Sequence, residues 1–314
     1  MEQKTYSLKS IAQGGELFKI WIVNLLLQII TLGFYYPWGK ANQLQYLYGT
    51  TIFENDPLQF HGTGKEMFKG FIKAIICLVV IYGLFFGLTY MGYPTLGALL
   101  FLLSFMSILP LIIHGSYRYR MSRTSWRGIR FGYRGDRKEL YMIFIKGFLL
   151  TLITFGIYGS WFAINIRNYV ISNVRVGNGK FKYNGDGTDF FVLNLVGYLL
   201  TVITLGIYGF WWQKNLFEYY VNNLSIENGE EKIQFRSVAT GGGFFSLLVG
   251  NILMIIFTLG LATPWVIIRT LNFVFNYIVL EGDVDLNKLV QTEDNYKDAT
   301  SEDLADFFDF DLVI

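Results

Sequence analysis

Long apolar stretches alternate with short segments in which apolar and polar residues take turns. Apolar blocks occupy residues 17–36, 72–90, 96–113, 141–163, 190–212 and 244–268. Several exceed the roughly 18 apolar residues expected of a membrane-crossing helix. Between and after them come GTTIFENDPLQFHGTG, RTSWRGIRFGYRGD, SNVRVGNGKFKYNGDG and LSIENGEEKIQFRSVATGGG, with a shorter fifth, YIVLEGDVDL. β-Branched or aromatic residues alternating around Asn-Gly, Asn-Asp-Pro or Trp-Arg-Gly predict β-hairpins.

Four of the blocks contain one phrase, Thr-x-Gly-x4-Trp: TLGFYYPW at 31–38, TFGIYGSW at 154–161, TLGIYGFW at 204–211 and TLGLATPW at 258–265. An apolar helix precedes each, and a shorter helix with spaced polar residues follows, then a hairpin. A repeat of roughly 50 residues implies one supersecondary unit copied along the chain. The second copy lacks the phrase and is enlarged, its longer helices turning at Met91-Gly92-Tyr93-Pro94; aligning Pro110 with Pro37 restores its register. Glycine lets a helix end left-handed without a Cβ clash, and proline suits the first position of the next helix. Ser160 and Thr263 stand where an N-capping hydroxyl belongs. The phrase therefore predicts a turn between two helices.

The expected fold is a mainly α membrane protein, a polytopic bundle of five helix-pair repeats each followed by a short cytoplasmic β-hairpin. The repeats fall near 15–64, 65–138, 139–188, 189–240 and 241–285, within one membrane domain spanning 1–280. Isolated hairpins are marginal in water, so they are expected to pack together or onto the helix ends. Residues 17–32 make a helix of roughly 24 Å, short of the roughly 30 Å hydrocarbon core. Whether the short pairs cross or re-enter is left open, while the enlarged pair is long enough to span.

Composition agrees with a membrane setting: of 314 residues, 53% are hydrophobic and 16% charged, against about a quarter charged in soluble chains. The N-terminus is polar, with no small-residue cleavage site after the first apolar block, so no removable signal peptide is expected. Net charge hides an asymmetry. The tail 281–314 carries eleven acidic residues against Lys288 and Lys297, which leaves residues 1–280 with 24 basic groups and 13 acidic. Residues 117–138 alone hold eight basic side chains against Asp136. The turns carry no charge, so the positive-inside rule places all hairpins and both termini in the cytoplasm. In the tail, Ser301 is positioned to cap a short helix with Leu304, Phe307, Phe308 and Leu312 near one face.

Counted from each Trp, the second helices share a polar stripe. Position +4 is Asn42, Asn165, Asn215 or Arg269; +7 is Gln45, Asn168, Glu218 or Asn272; +11 includes Asn222 and Asn276, and in the enlarged copy Arg118 falls at +7. Such offsets share one helix face. Polar groups in hydrocarbon must face a partner, a bundle interior or water. Two readings follow: inter-helix glue, or the lining of a hydrated cavity for a small polar or charged solute. In the second, Arg118, Arg167, Lys214, Glu218 and Arg269 supply the charge, with Glu218 facing the interior beside a basic side chain.

Other chemistry is thin. Cys77 stands alone, so no internal disulfide is possible. His61 and His114 are too few for a zinc site. GTGKE at 62–66 lacks the residues of a phosphate loop and reads as a strand-to-helix turn. Gly83 and Gly87 form a weak GxxxG packing signal. The arginine-rich second hairpin suits anionic lipid headgroups, and no nucleic-acid partner is expected. Neither a nucleophile–base arrangement nor a cofactor motif is present, and the chain reads as a non-enzyme.

TLGFYYPW, YLYGTTIFENDPLQFHGTGKEMFKGF, FKYNGDG and SEDLADFFDFDL together resemble the YjgN-like family of bacterial inner-membrane proteins, a domain of unknown function. The resemblance spans essentially the whole chain. It implies a multi-pass protein of the bacterial inner membrane and brings no substrate, cofactor or catalytic residue. The functional expectation is binding or passage of a small polar or charged solute; the alternative is a non-catalytic scaffold or lipid- and partner-binding protein acting through its hairpins.

Overall fold

A computed structural model of the protein describes residues 4–292. The described residues form ten α-helices, eleven strands and one short 3-10 helix. An N-terminal segment carries β1 (Lys4–Tyr6) and β2 (Leu8–Ser10). Five units of strand, two helices and strand then follow from one another. The first is β2, α1 (Gly14–Ile30), α2 (Tyr36–Gly49) and β3 (Thr51–Phe53). The second is β4 (Asp56–Phe60), α3 (Gly64–Tyr90), α4 (Pro94–Ser122) and β5 (Thr124–Trp126). The third is β6 (Ile129–Tyr133), α5 (Arg137–Ile153), α6 (Gly159–Ser172) and β7 (Val174–Val176). The fourth is β8 (Gly179–Tyr183), α7 (Gly187–Ile203), α8 (Gly209–Asn222) and β9 (Leu224–Asn228). The fifth is β10 (Glu231–Ser237), α9 (Gly241–Phe257), α10 (Thr263–Asn276) and β11 (Ile278–Gly282).

The strands do not stay as separate hairpins. Edge to edge they make one antiparallel sheet in the order β1-β11-β10-β9-β8-β7-β6-β5-β4-β3-β2. Its two edges, β1 and β2, are halves of a single segment: Lys4–Tyr6 pairs with β11 while Leu8–Ser10 pairs with β3. The sheet is thus an almost closed barrel. The fold is mixed α/β rather than mainly α, and the reason is physical: a lone hairpin leaves two rows of N–H and C=O groups unpaired, and joining four of them with β11 and the N-terminal segment around a ring pairs nearly all. The fifth hairpin is also corrected. Only its first half is a strand, whose partners are β10 and the N-terminal β1, and the residues after it turn into a 3-10 helix, Leu286–Lys288.

The helices close in the same way. Each packs on its neighbour in sequence, and α10 returns to α1. A repeated contact sets this spacing. Trp38, Trp161, Trp211 and Trp265 lie so close to Gly64, Gly187, Gly241 and Gly14 that a Cβ there would fall within 2.5 Å of the indole. Each tryptophan covers the first residue of the following unit's first helix, and Trp265 does this for the start of the chain. GTGKE is the strand-to-helix turn expected, with Thr63 and Glu66 forming a capping box ahead of α3.

The phrase itself is a Schellman ending. Gly33 N–H donates to Gln28 O and Leu32 N–H to Ile29 O, with the same pair of bonds in the other three copies. The residue that takes the left-handed cap position is not the glycine. It is Leu32, Phe155, Leu205 or Leu259, with φ of 50–51°, and the glycine follows at 88–95°. A bulky residue there costs about 1–2 kcal/mol.

Inside the barrel, Trp126, Ile226, Ile233, Phe235 and Leu280 form the largest core cluster. Beyond β11 the chain crosses as a strap. Val284, Leu286 and Leu289 are buried in that same cluster, and Tyr6 Oη donates to Val284 O at 2.7 Å. Thr292 Oγ1 then donates to Gly177 O at 2.6 Å in the β7–β8 turn. The expected tail helix near Ser301 lies outside the described residues.

Glu231 anchors the strap, accepting from Asp285 N at 2.9 Å and from Lys288 Nζ at 3.0 Å. The backbone bond first, then the ammonium, hold its carboxyl below the ordinary range, and Glu231 raises Lys288. The anchor's contribution is therefore complete above the usual glutamate range and fades as pH falls through it; at the alkaline end it is lost only once pH passes the raised lysine value. Hydrogen-exchange protection at 284–290, corrected for the intrinsic pH dependence of exchange, should fall on acidification while the barrel strands stay protected, and Glu231→Gln should show the acid behaviour at neutral pH.

Candidate functional site

Where the second helices reach the barrel they leave a central cavity of about 370 Å³. Tyr48 of α2, Met121 of α4, Ile171 of α6, Val221 of α8 and Phe275 of α10 line it. All five stand ten residues after the tryptophan, or after its counterpart Leu111 in the enlarged copy. Tyr117, Arg120, Arg167 and Tyr220 add the polar part of the helical wall. The strands contribute Leu8, Phe131, Phe181, Phe235 and Ile278, among others. Two guanidinium groups thus share a largely aromatic and aliphatic chamber, and no carboxylate lines it among the described residues.

Arg167 is held by rings rather than by an acid. Its guanidinium carbon lies 4.1 Å from the Tyr220 ring centroid and 5.1 Å from that of Tyr183, a cation–π clamp. Its Nε is buried without a hydrogen-bond partner. Burial pushes the hydroxyls of Tyr183 and Tyr133 well above the usual phenol range, with Arg167 opposing the shift at Tyr183. Both hydroxyls stay neutral donors at any physiological pH.

Of the thirteen residues placed in the polar stripe, only Arg167, at +6, lines this cavity. At about 100° per residue, positions +4, +7 and +11 point about 140° away from +6, +9 and +10. The stripe faces neighbouring backbone instead. Gln45 Nε2 donates to Gly62 O at 3.0 Å and Asn168 Nδ2 to Gly185 O at 3.1 Å, each bonding the turn that starts the next unit. Asn222 Oδ1 accepts from Ser237 N at 2.8 Å. Asn42 Nδ2 reaches Asn24 Oδ1 at 3.5 Å. Asn165 is exposed and Asn215 half-buried, while Arg118 sits on this face of α4, off the cavity wall. Lys214 pairs with Glu218, which is therefore matched on its own helix and not by Arg167 or Arg269. Arg269, Asn272 and Asn276 line a separate open cleft among α1, α9 and α10, where Arg269 Nη2 donates to Ser246 O at 2.8 Å. The +8 tyrosines work beside the stripe: Tyr46, Tyr169 and Tyr219 each donate to the N-cap carbonyl of their own unit's first helix.

Sequence reasoning missed Tyr117, Arg120 and Tyr220. The available signal was the +10 column, large and uncharged in all five copies, which marks the face turned to the centre.

The histidines are far from this chamber in role. His61 Nε2 lies 2.8 Å from Ser125 Oγ, and His114 meets the Tyr133 ring edge-on at 5.3 Å. Among the described residues no group of three His, Cys, Asp or Glu side chains comes together as a metal site.

Ten helices ringed over an almost closed barrel, with a basic chamber between, define a five-unit repeat protein in which one pair, α3 and α4, is long and apolar enough to cross a membrane. The chain belongs to a family of bacterial proteins of unknown function, DUF898, whose pattern matches residues 8–184, 178–230 and 212–307. It is 28% identical over 175 residues to the inner membrane protein YjgN of Salmonella typhimurium, covering 52% of this chain and 43% of that protein. To YjgN of Escherichia coli O157:H7 it is 29% identical over 169 residues, 53% of this chain and 40% of the relative. The matched region is thus less than half the length of these curated relatives. No solved structure matches.

Removing a turn bond leaves a carbonyl unpaired. Gln45→Ala and Asn168→Ala should each lower the unfolding free energy by about 1 kcal/mol. Asn165→Ala should stay within about 0.5 kcal/mol of the parent. Denaturation of the purified protein in detergent measures both.

Proposed function

We propose that this chain is an inner-membrane protein that binds a small anionic solute with an apolar body in its central cavity. The observation that carries the reading is the wall itself: Arg120 and Arg167 bring positive charge into an aromatic and aliphatic chamber that, among the described residues, no carboxylate lines. Guanidinium groups favour carboxylate or phosphate oxygens, and the remaining wall favours burial of apolar area. Membrane placement is supported by the length and hydropathy of α3 and α4 and by the names of the relatives. The basic hairpin, the positive-inside rule and the uncharged turns favour a cytoplasmic barrel.

Binding is favoured over passage through the barrel. The barrel interior is filled by Trp126, Ile233, Phe235 and Leu280, and the strap packs into the same core. The rival reading, a lipid-binding hairpin face, draws less support from the second hairpin than its charge count suggests. Arg123 is paired with Glu66 at 3.2 Å and Arg127 with Asp56, so part of that charge is already matched.

Purified full-length protein should be melted against short monocarboxylates, alkyl phosphates, alkylamines and neutral alcohols of matched size. Anions with apolar chains should raise the melting temperature of the parent, since a ligand that binds only the folded state stabilises it by mass action. The shift should vanish in Arg167→Gln and Arg120→Gln. Protection by amines, or equal protection of the parent and both variants, would remove the reading.

A further inference from the structure

We infer that the tips of the four short helix pairs end within the hydrocarbon of the bilayer, and that only the α3–α4 pair crosses it. The inference rests on membrane placement but not on what the cavity holds.

The first observation is exposure. Leu32, Phe155, Leu205 and Leu259 are 88, 97, 94 and 93% exposed, and the preceding Ile30, Ile153, Ile203 and Phe257 are 73–81% exposed. These are the same residues that occupy the unfavourable left-handed position. Four times, at equivalent points of the ring, the chain puts a large apolar side chain where glycine would sit without strain and where it touches almost no protein. No charged residue stands in any of the four phrases.

The second observation is that these turns do not need water. In the first, Thr31 N–H donates to Leu27 O, Leu32 to Ile29, Gly33 to Gln28, Phe34 to Thr31 and Tyr36 to Gly33, while Trp38 donates to Tyr35. Tyr35 N–H is taken by Thr31 Oγ1 at 3.0 Å, whose own proton goes to Leu27 O. Pro37 has no N–H to satisfy. Thr258 and Pro264 repeat the arrangement in the fifth unit, where every N–H from 258 to 263 is bonded. Irregular backbone is costly at membrane depth because its N–H groups find no partner in hydrocarbon. Here they carry their partners with them, and the threonine of the phrase supplies the one acceptor that the backbone lacks.

Length gives the third. First helices of the short units have 17 residues and α3 has 27, about 25 Å against about 40 Å at 1.5 Å per residue. The hydrocarbon core is about 30 Å thick. The α3–α4 turn also differs in chemistry, since its exposed ends are Tyr90, Met91 and Tyr93. Tyrosine favours the headgroup level, with its ring in lipid and its hydroxyl in water.

The test uses the full-length protein with Cys77→Ser and one new cysteine at a time, at Leu32, Phe155, Leu205, Leu259, Met91 or Glu230, reconstituted in vesicles of bacterial phospholipid. Each variant is first checked to melt near its parent. Met91→Cys and Glu230→Cys should react with a membrane-impermeant maleimide from opposite sides. The four tip cysteines should lose that reaction from both sides and react with a lipid-soluble maleimide. Tip labelling from the Met91 side would mean that all five pairs cross, and labelling from the Glu230 side that the short pairs stay outside the bilayer; either overturns the inference. So would tip-to-tip disulfide cross-linking between copies, which would assign the apolar tips to a second copy of the chain.

Discussion

Hydrogen bonding between β1 and β11 is the constraint on which the architecture depends. Every other strand pair in the barrel joins residues near in sequence or in adjoining units, and each could form in a chain of fewer repeats. The first-to-last pairing makes the row a ring. Without it both β11 and the N-terminal segment would present open edges, and the strap would lose the Tyr6 hydroxyl that holds Val284. The same seam brings α10 against α1 and lays Trp265 on Gly14. Closure of strands and closure of helices are one event seen at two levels.

The central chamber is a product of that closure. No single unit contains it, since each gives only one helix face and at most two strand residues. Five +10 side chains meet because five second helices converge, and the same convergence half-buries the two arginines. The polar stripe on the opposite face serves the ring rather than the chamber: Gln45 and Asn168 tie the first and third units to the turns that begin the next.

Local features were legible from the amino-acid order, and non-local ones were not. The helix pairs, the five-fold repetition and the turn at Thr-x-Gly-x4-Trp are written in short-range periodicity and turn chemistry. The phrase even announced its glycine, which does take positive φ, though the Leu or Phe before it takes the cap position and is left-handed as well. Barrel formation was not legible, because pairing between hairpins depends on partners about 50 residues away and at the seam on opposite ends of the chain. YIVLEGDVDL looked like a complete hairpin since nothing local says that β11 will take its partner from Lys4–Tyr6. For the site, the eye goes to polar residues in apolar helices, and that led to the stripe. Arg167 was found through its charge, whereas Arg120 and Tyr220 sit beside an uncharged column whose meaning appears only once five copies face one another.

The split of the last hairpin between the chain's two ends also orders events in time. Leu8–Ser10 can find β3 soon after synthesis, but the Tyr6 hydroxyl must wait for a carbonyl 278 residues later. At about 5–20 residues per second on the ribosome, that interval is tens of seconds. The nascent protein is therefore an open crescent until β11 and the strap have been made, with β1 unpaired at its leading edge. Closure of the ring is therefore the last step of its assembly, whatever the speed of each unit.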